Sequence, residues 1–346
     1  MSRKYYPILF TSFIIAYFFL YAFYGYNDAD DGYILALSWR VFNGEIPYKD
    51  FIYIRPPFTP FFHSLPLYII PENYQIIFER FLSFLFMALS SLFCSLSIER
   101  VFKNEIKINF YLLATIGFVY SAHNFSPMPW YTVDGVFFAS LGIYLLIRSS
   151  TLPSIFLGIL FLFFSALCKQ PFYLMPFAGI VYVHLVYKNW KKTLFSVFTF
   201  GFFLSLFIFI LYKLDALKNF IDLTTGSTKI ADLLTAGVFS YFKVYSLYII
   251  QPFAFWILSV KLSRYDRLKR IKELVPYFFI SFILLYPLSQ FVYSSLYSAI
   301  PYNPTVPDFY MDSLASFLFM ATVFFLILNF KFENNWISLS FFVLLA

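Results

Sequence analysis

The sequence predicts an all-α polytopic membrane protein, a single domain over residues 1–346 with about eleven transmembrane helices. Hydrophobic residues make up 61% of the chain and charged residues 12%, whereas a soluble domain averages about 45–50% and about 25%. This composition excludes a soluble enzyme, and it excludes a disordered chain, which needs low hydrophobicity. The apolar runs are long and continuous, which favours helices over the alternating segments of a β-barrel.

Eleven apolar runs are the candidate spans, and a complete crossing needs about 20 apolar residues. Runs 109–122 and 154–167 are short, so we expect them to be tilted or lengthened by their flanks. The last run holds 11 residues and ends the chain, so either the natural protein continues beyond it or this run is a partial span. The runs are 5–24, 74–98, 109–122, 132–147, 154–167, 172–187, 193–212, 236–260, 274–292, 313–330 and 336–346.

Basic residues lie mainly on one side of these runs. With the N-terminus inside, the inner loops hold 16 of the 25 lysines and arginines, and the outer loops hold 7. This split follows the positive-inside rule and predicts a multi-pass plasma-membrane protein whose 25–73 loop is the extracytoplasmic catalytic loop. Most acidic residues fall on the outer side, as an extracytoplasmic active site requires. Because the basic residues follow the topology, no nucleic-acid partner is expected.

The large outer loop begins with an amphipathic stretch. Apolar residues alternate with small and polar residues over 31–42, which predicts a short helix lying on the membrane surface. Asp30 or Asp31 would stand at its N-terminus, where the helix dipole favours a carboxylate. Asn43-Gly44 would end the helix, and a proline-rich irregular segment follows.

Three carboxylates, Asp28, Asp30 and Asp31, stand just after the first span. Carboxylates this close together suit a general base or a cation site, so this loop is compatible with a divalent cation. The alternative is a solvated acidic loop that caps the following helix. The sequence requires no other cofactor, because its two cysteines and three histidines lack metal-site spacing.

Residues 30–51 read DDGYILALSWRVFNGEIPYKDF. The pattern is acid-acid-Gly-Tyr, an amphipathic helix, and then Gly-x-x-Pro-Tyr-x-Asp-Phe. It resembles the first-loop motif of the GT-C glycosyltransferases, in the bacterial and archaeal branch related to protein O-mannosyltransferases and aminoarabinose transferases. The resemblance implies a GT-C-like helix bundle that takes its sugar from a polyprenyl-phosphate carrier.

The resemblance also implies roles for individual residues in this loop. The family's presumed catalytic base falls on Asp30, and Asp31 replaces the Glu that usually follows it. Tyr33, Tyr48 and Asp50 match other positions of the pattern, and we expect them to support the site.

Two basic positions resemble the family's phosphate-binding segments. Arg55 precedes Pro56-Pro57, and an arginine on a proline-stiffened segment is pre-organised to bind a phosphate with two parallel hydrogen bonds. Lys169-Gln170 follows an apolar run, as Lys-Gln or Lys-Gly does in the family, so both are expected to bind the lipid phosphate. The alternatives are an Arg55 that anchors the loop to lipid headgroups and a Lys169 that snorkels to the interface.

Other ionisable residues lie near or inside the apolar runs. Asp134 belongs to no motif. It lies three positions after Tyr131, so we expect that it could support the site. Glu79 and Arg80 are adjacent within a run, so they point apart on a helix and are expected to pair with other spans. His63 is interpreted as structural or solvated.

These features favour a membrane glycosyltransferase. We expect direct displacement with inversion, in which Asp30 takes the proton of an acceptor hydroxyl. No nucleotide-binding motif is visible, so the donor would be a polyprenyl-phosphate-linked sugar, and the acceptor a glycan, lipid or protein within a membrane of ordinary lipids. A transporter or lipid flippase is the alternative, although such proteins show paired repeats and midplane charges. A non-catalytic assembly factor also stays open.

Overall fold

The computed structural model describes residues 5–23, 32–101, 109–125 and 127–225, which all belong to one compact unit. These residues form helices joined by short turns, with one isolated bridge between Pro47 and Phe51 as the sole β-type pairing among them. The helices are α1 Tyr5–Tyr21, α2 Tyr33–Phe42, α3 Phe58–Ser64, α4 Gln75–Val101, α5 Phe110–Asn124, α6 Tyr131–Arg148, α7 Leu152–Ala166, α8 Met175–Tyr187, α9 Trp190–Lys213 and α10 Leu217–Thr225.

The seven apolar runs before residue 225 each correspond to one of these helices, so the all-helical prediction is confirmed for the described part. Among the described residues, three helical segments are long and apolar enough to cross a membrane: Glu72–Val101, Tyr131–Arg148 and Trp190–Lys213. The runs 236–260, 274–292, 313–330 and 336–346 lie outside the described residues, and the total of eleven spans stays a prediction.

The run 172–187 is the one that the structure divides. Residues Gln170–Leu174 form a separate 3-10 turn, and α8 begins only at Met175. Prolines explain this break, because Pro171 and Pro176 each occupy the first turn of their own segment, where a missing N–H costs nothing. The turn places Lys169 and Gln170 ahead of α8.

The amphipathic helix predicted after the first span is confirmed as α2. Its buried face carries Ile34, Leu37 and Ser38, and its opposite face exposes Trp39. Gly44 follows the helix end with a φ of +87°, a left-handed conformation that suits glycine. The predicted Asp30 or Asp31 at the helix start lies outside the described residues.

Helices α6, α7 and α8 share one buried core cluster. Ile143, Ile159, Leu162 and Val183 are all at most 1% exposed in one core cluster of these helices. Small residues permit this approach, as in many membrane helix pairs. A Cβ added at Gly142 in α6 would lie 2.8 Å from the carbonyl oxygen of Gly158 in α7. The backbones of α6 and α7 are therefore in close contact at Gly142.

We predict that Gly142→Ala destabilises the protein, because neither the Gly158 carbonyl nor the buried Leu162 side chain has room to move. Overpacking of this kind costs about 1–3 kcal/mol. Gly201→Ala in α9 is the matched control, since a Cβ there meets no atom within 4 Å. Thermal unfolding in detergent should show a lower Tm for Gly142→Ala alone, and equal Tm values for both variants would contradict the packing described here.

Candidate functional site

Three chain segments meet at the candidate site. The loop before α3 supplies Arg55, the first turn of α6 supplies Tyr131 and Thr132, and the turn after α7 supplies Lys169. A backbone hydrogen bond joins the two loops directly, since the Phe58 N–H donates to the Leu167 carbonyl oxygen at 3.0 Å. The loops therefore hold their two cations on the same side of α6.

Two cations contact the same aromatic ring. The Arg55 guanidinium carbon lies 4.7 Å from the centroid of the Tyr131 ring, and the Lys169 Nζ lies 5.1 Å from the same centroid. Lys169 also donates a hydrogen bond to Thr132 Oγ1 at 2.9 Å. Partial burial, with a smaller effect of Arg55, lowers the pKa of Lys169 from its usual value. The positive charges of Arg55 and Lys169 are thus held near one another in a partly buried environment.

Within the described ranges, neither Arg55 nor Lys169 forms an ion pair with a carboxylate. Each is half-buried, so part of its surface stays open to a ligand. Two positive charges at this spacing repel each other, and an anion between them would relieve that repulsion. The arrangement can therefore bind an anion such as a phosphate.

Neighbouring side chains fix the Arg55 segment. Gln170 Nε2 donates to the Ile54 carbonyl at 2.6 Å, and Gln170 Oε1 accepts a long 3.4 Å hydrogen bond from the Arg55 guanidinium. The Tyr48 hydroxyl donates to the Arg55 carbonyl, and Asn219 Nδ2 donates to the Tyr48 carbonyl at 2.8 Å. Tyr48 is buried and has a φ of +71°, an uncommon conformation for a tyrosine. The structure thus connects Gln170 and Tyr48 to the Arg55 backbone.

The remaining predicted site residues differ in their positions. Tyr33 lies near the start of α6, where its ring centroid is 6.5 Å from that of Trp130. Burial first, and then Tyr131, raise the pKa of its hydroxyl, with an opposing effect of Arg55. Asp50 has a different role, since its Oδ2 accepts the Ile46 N–H at 2.7 Å and closes the loop after α2. Asp28, Asp30 and Asp31 lie outside the described residues.

A buried charged cluster lies inside the bundle and was missed as a unit by the sequence analysis. His63 Nδ1 is 2.5 Å from Glu79 Oε2, and His63 Nε2 is 3.1 Å from Asp134 Oδ2. The three side chains are at most 2% exposed. Of the two interpretations of His63, the solvated one is therefore wrong and the structural one fits. Burial alone would lower the pKa of His63, but the carboxylates of Asp134 and Glu79 raise it to about 10. The imidazole is therefore a cation between two carboxylates.

The sequence offers no local signal for this cluster. His63 and Glu79 are 16 residues apart, and His63 and Asp134 are 71 residues apart. The one usable signal was an ionisable residue within an apolar run, which led to the prediction that Glu79 and Arg80 have different partners. Arg80 fits that prediction, because it donates to the Ala22 carbonyl of the first run at 2.8 Å, whereas Glu79 contacts His63 in α3 of the outer loop rather than another span.

Among the described residues, no group of three His, Cys, Asp or Glu side chains is arranged to hold a metal ion. The charged cluster illustrates why, since Glu79 and Asp134 contact opposite nitrogens of the imidazole and cannot chelate one ion together. The divalent cation considered for the acidic loop concerns residues outside this part of the chain.

Comparisons of the chain with protein-family models, curated proteins and solved structures gave no match.

We predict that the charge of His63 makes the protein less stable at high pH. A raised pKa in the folded state adds stability that is complete below the unfolded value of about 6.5 and is lost as the pH rises through about 10. Between these limits the stability falls by at most about 1.4 kcal/mol per pH unit. Thermal unfolding from pH 7 to pH 9.5 should show this slope in the wild type and a flatter profile in His63→Gln.

His184→Gln is the matched control, because His184 contacts Thr193 Oγ1 at 3.3 Å rather than a carboxylate. It should keep the wild-type slope. A His63→Gln profile as steep as that of the wild type would show that His63 is not the cation in this cluster.

Proposed function

We propose that this chain is a GT-C-like polytopic membrane glycosyltransferase that moves a sugar from a polyprenyl-phosphate carrier to an acceptor hydroxyl on the extracytoplasmic side. The observation that carries the proposal is the pair of cations, Arg55 and Lys169, on the single ring of Tyr131. Both residues were selected from the sequence as phosphate ligands, although they are separated by more than 100 positions.

The cation pair suits the leaving group of such a reaction. When the bond between the anomeric carbon and the phosphate oxygen breaks, the electron pair stays on that oxygen and the carrier leaves as a polyprenyl phosphate. Its negative charge grows during this step, and fixed cations in a poorly hydrated site stabilise the transition state more than the ground state. Arg55 and Lys169 meet these conditions because neighbouring side chains hold both in place.

The acceptor side of the reaction needs a base. In the proposed displacement, the acceptor oxygen bonds to the anomeric carbon from the face opposite the phosphate, which inverts the configuration, and a carboxylate takes the hydroxyl proton. Asp30 is the residue proposed for this role. It precedes Tyr33 by three residues in the chain, and the ring centroid of Tyr33 lies 6.5 Å from that of Trp130, the residue before Tyr131.

A transporter or lipid flippase is the second candidate function. The observation that favours it is the Glu79–His63–Asp134 cluster, because buried ionisable groups among membrane helices often mark a transport pathway. The two candidates differ chemically, since a flippase leaves its sugar-loaded lipid intact, whereas a transferase separates sugar from phosphate.

We predict that Arg55→Ala and Lys169→Ala each lower turnover strongly while the protein still inserts and folds. By analogy with a lost oxyanion donor, each loss is about 2.7–4 kcal/mol, or about 100–1000-fold in turnover. Turnover can be followed by mass spectrometry as the restoration of envelope glycans in cells that lack the gene. Near-normal restoration by both variants would contradict the assignment of the cation pair.

Lys192→Ala is the matched control for these variants. Lys192 also lies over a tyrosine ring, 5.3 Å from the centroid of Tyr187, but no second cation is seen over that ring in the described part of the chain. The control therefore loses a cation–π contact of the same kind without losing the pair, and it should keep full turnover.

Asp30→Asn tests the proposed base. Asparagine caps a helix about as well as aspartate but cannot accept the hydroxyl proton, so the variant should be folded and reduced by about 10²–10⁴-fold in turnover. If Asp30→Asn had wild-type turnover, Asp30 would be limited to capping, and Asp31 or Asp28 would be tested next as the base.

A further inference from the structure

The Glu79–His63–Asp134 cluster connects the elements that carry the cation pair. His63 belongs to α3, whose first residue follows Arg55 by three positions. Asp134 belongs to the first turn of α6, in which Tyr131 supplies the shared ring and Thr132 accepts from Lys169. The contact between His63 and Asp134 therefore joins the element that follows Arg55 to the turn that carries Tyr131 and Thr132.

Two buried hydrogen bonds make this connection stiff. Each imidazole nitrogen contacts a carboxylate oxygen, at 2.5 Å to Glu79 and 3.1 Å to Asp134, and a buried polar group that loses its partner is left unsatisfied. Glu79 of α4 holds Nδ1 of the ring, which directs Nε2 towards Asp134. The orientation of the imidazole is therefore set from a helix that supplies no cation to the site.

We propose that Glu79, His63 and Asp134 form a positioning cluster, which fixes the first turn of α6 against α3 and so holds Tyr131 and Thr132 beneath Arg55 and Lys169. The role of the fixed geometry as a lipid-phosphate site rests on the function proposed above. The cluster itself touches no ligand. It acts through the ring of Tyr131 and the hydroxyl of Thr132.

The cluster differs from an ordinary stabilising contact in what its loss would change. Removing a structural contact lowers the Tm and leaves the folded protein's affinity for its ligand unaltered. Loss of a positioning contact lets the α6 turn move, and a displacement of about 1 Å at a site can cost about 100-fold. The proposal therefore predicts a loss of phosphate affinity in protein that is still folded.

The test measures the Kd of farnesyl phosphate for the purified full-length protein in detergent. Asp134→Ala and Glu79→Ala should each weaken binding roughly tenfold or more, and a double variant should bind no more weakly than the worse single variant, because both act through one ring. Asp134→Asn keeps an acceptor for His63 Nε2 and should bind nearly as well as the wild type.

Ser165→Ala is the matched control. The Ser165 hydroxyl is buried and donates to the Gly135 carbonyl at 2.7 Å, so it ties α7 to α6 one residue beyond Asp134 without joining α3. It should lower the Tm and keep the wild-type Kd. Folded Asp134→Ala with a wild-type Kd would overturn the proposal. A tenfold loss in Asp134→Asn would also overturn it, since the charge of Asp134 would then act on the ligand directly.

Hydrogen exchange separates this proposal from the proposed function. If the wild type does not bind farnesyl phosphate, the lipid-phosphate site is wrong, and amide exchange over residues 131–134 then decides the positioning role. Faster exchange there in Glu79→Ala, with unchanged exchange in Ser165→Ala, supports the cluster as a positioning device. Unchanged exchange in Glu79→Ala would overturn it, because the contact of Glu79 with His63 is the connection to Asp134 on which the proposal rests.

Discussion

The arrangement of the described site depends on one aromatic ring that holds two positive charges. A cation over an aromatic face gains about 0.5–1 kcal/mol when exposed and about 2 kcal/mol or more when desolvated. Tyr131 makes this contact with Arg55 and Lys169 at once. The attraction of both cations to the ring offsets part of their mutual repulsion, and the remaining positive potential attracts an anion. The fold of the site therefore suits an anion such as the phosphate that we propose.

The surrounding fold keeps that ring in place. The close approach of α6 and α7 at Gly142 and Gly158 fixes the helix that carries Tyr131, and the Phe58–Leu167 backbone hydrogen bond joins the two loops that carry the cations. These contacts are between backbones and small residues, which leave little freedom for relative movement. The helix bundle therefore supports the segments that carry the charges.

The sequence predicted those parts that rest on local patterns. Hydropathy predicted seven helices of the described part, and two segments that resemble the family's phosphate-binding segments selected Arg55, Lys169 and Gln170, which the structure brings together. The role of Tyr131 and the cluster around His63 was not predicted, because helix packing alone joins residues that are far apart in the chain. A buried histidine has no local signature until its two carboxylates are located. The role of Asp30 stays a prediction.

The proposed transfer of a sugar from a polyprenyl phosphate can be tested chemically. Purified protein would be reconstituted in liposomes with polyprenyl-phosphate lipids and with acceptor-containing envelope material from its native membrane, so that an acceptor hydroxyl can receive the sugar. The lipids would be followed by mass spectrometry. We predict that the wild type converts sugar-loaded carrier to free polyprenyl phosphate, and that a variant lacking both Arg55 and Lys169 does not. A carrier that stays loaded with the wild type, while crossing the bilayer intact, would contradict the proposed transfer.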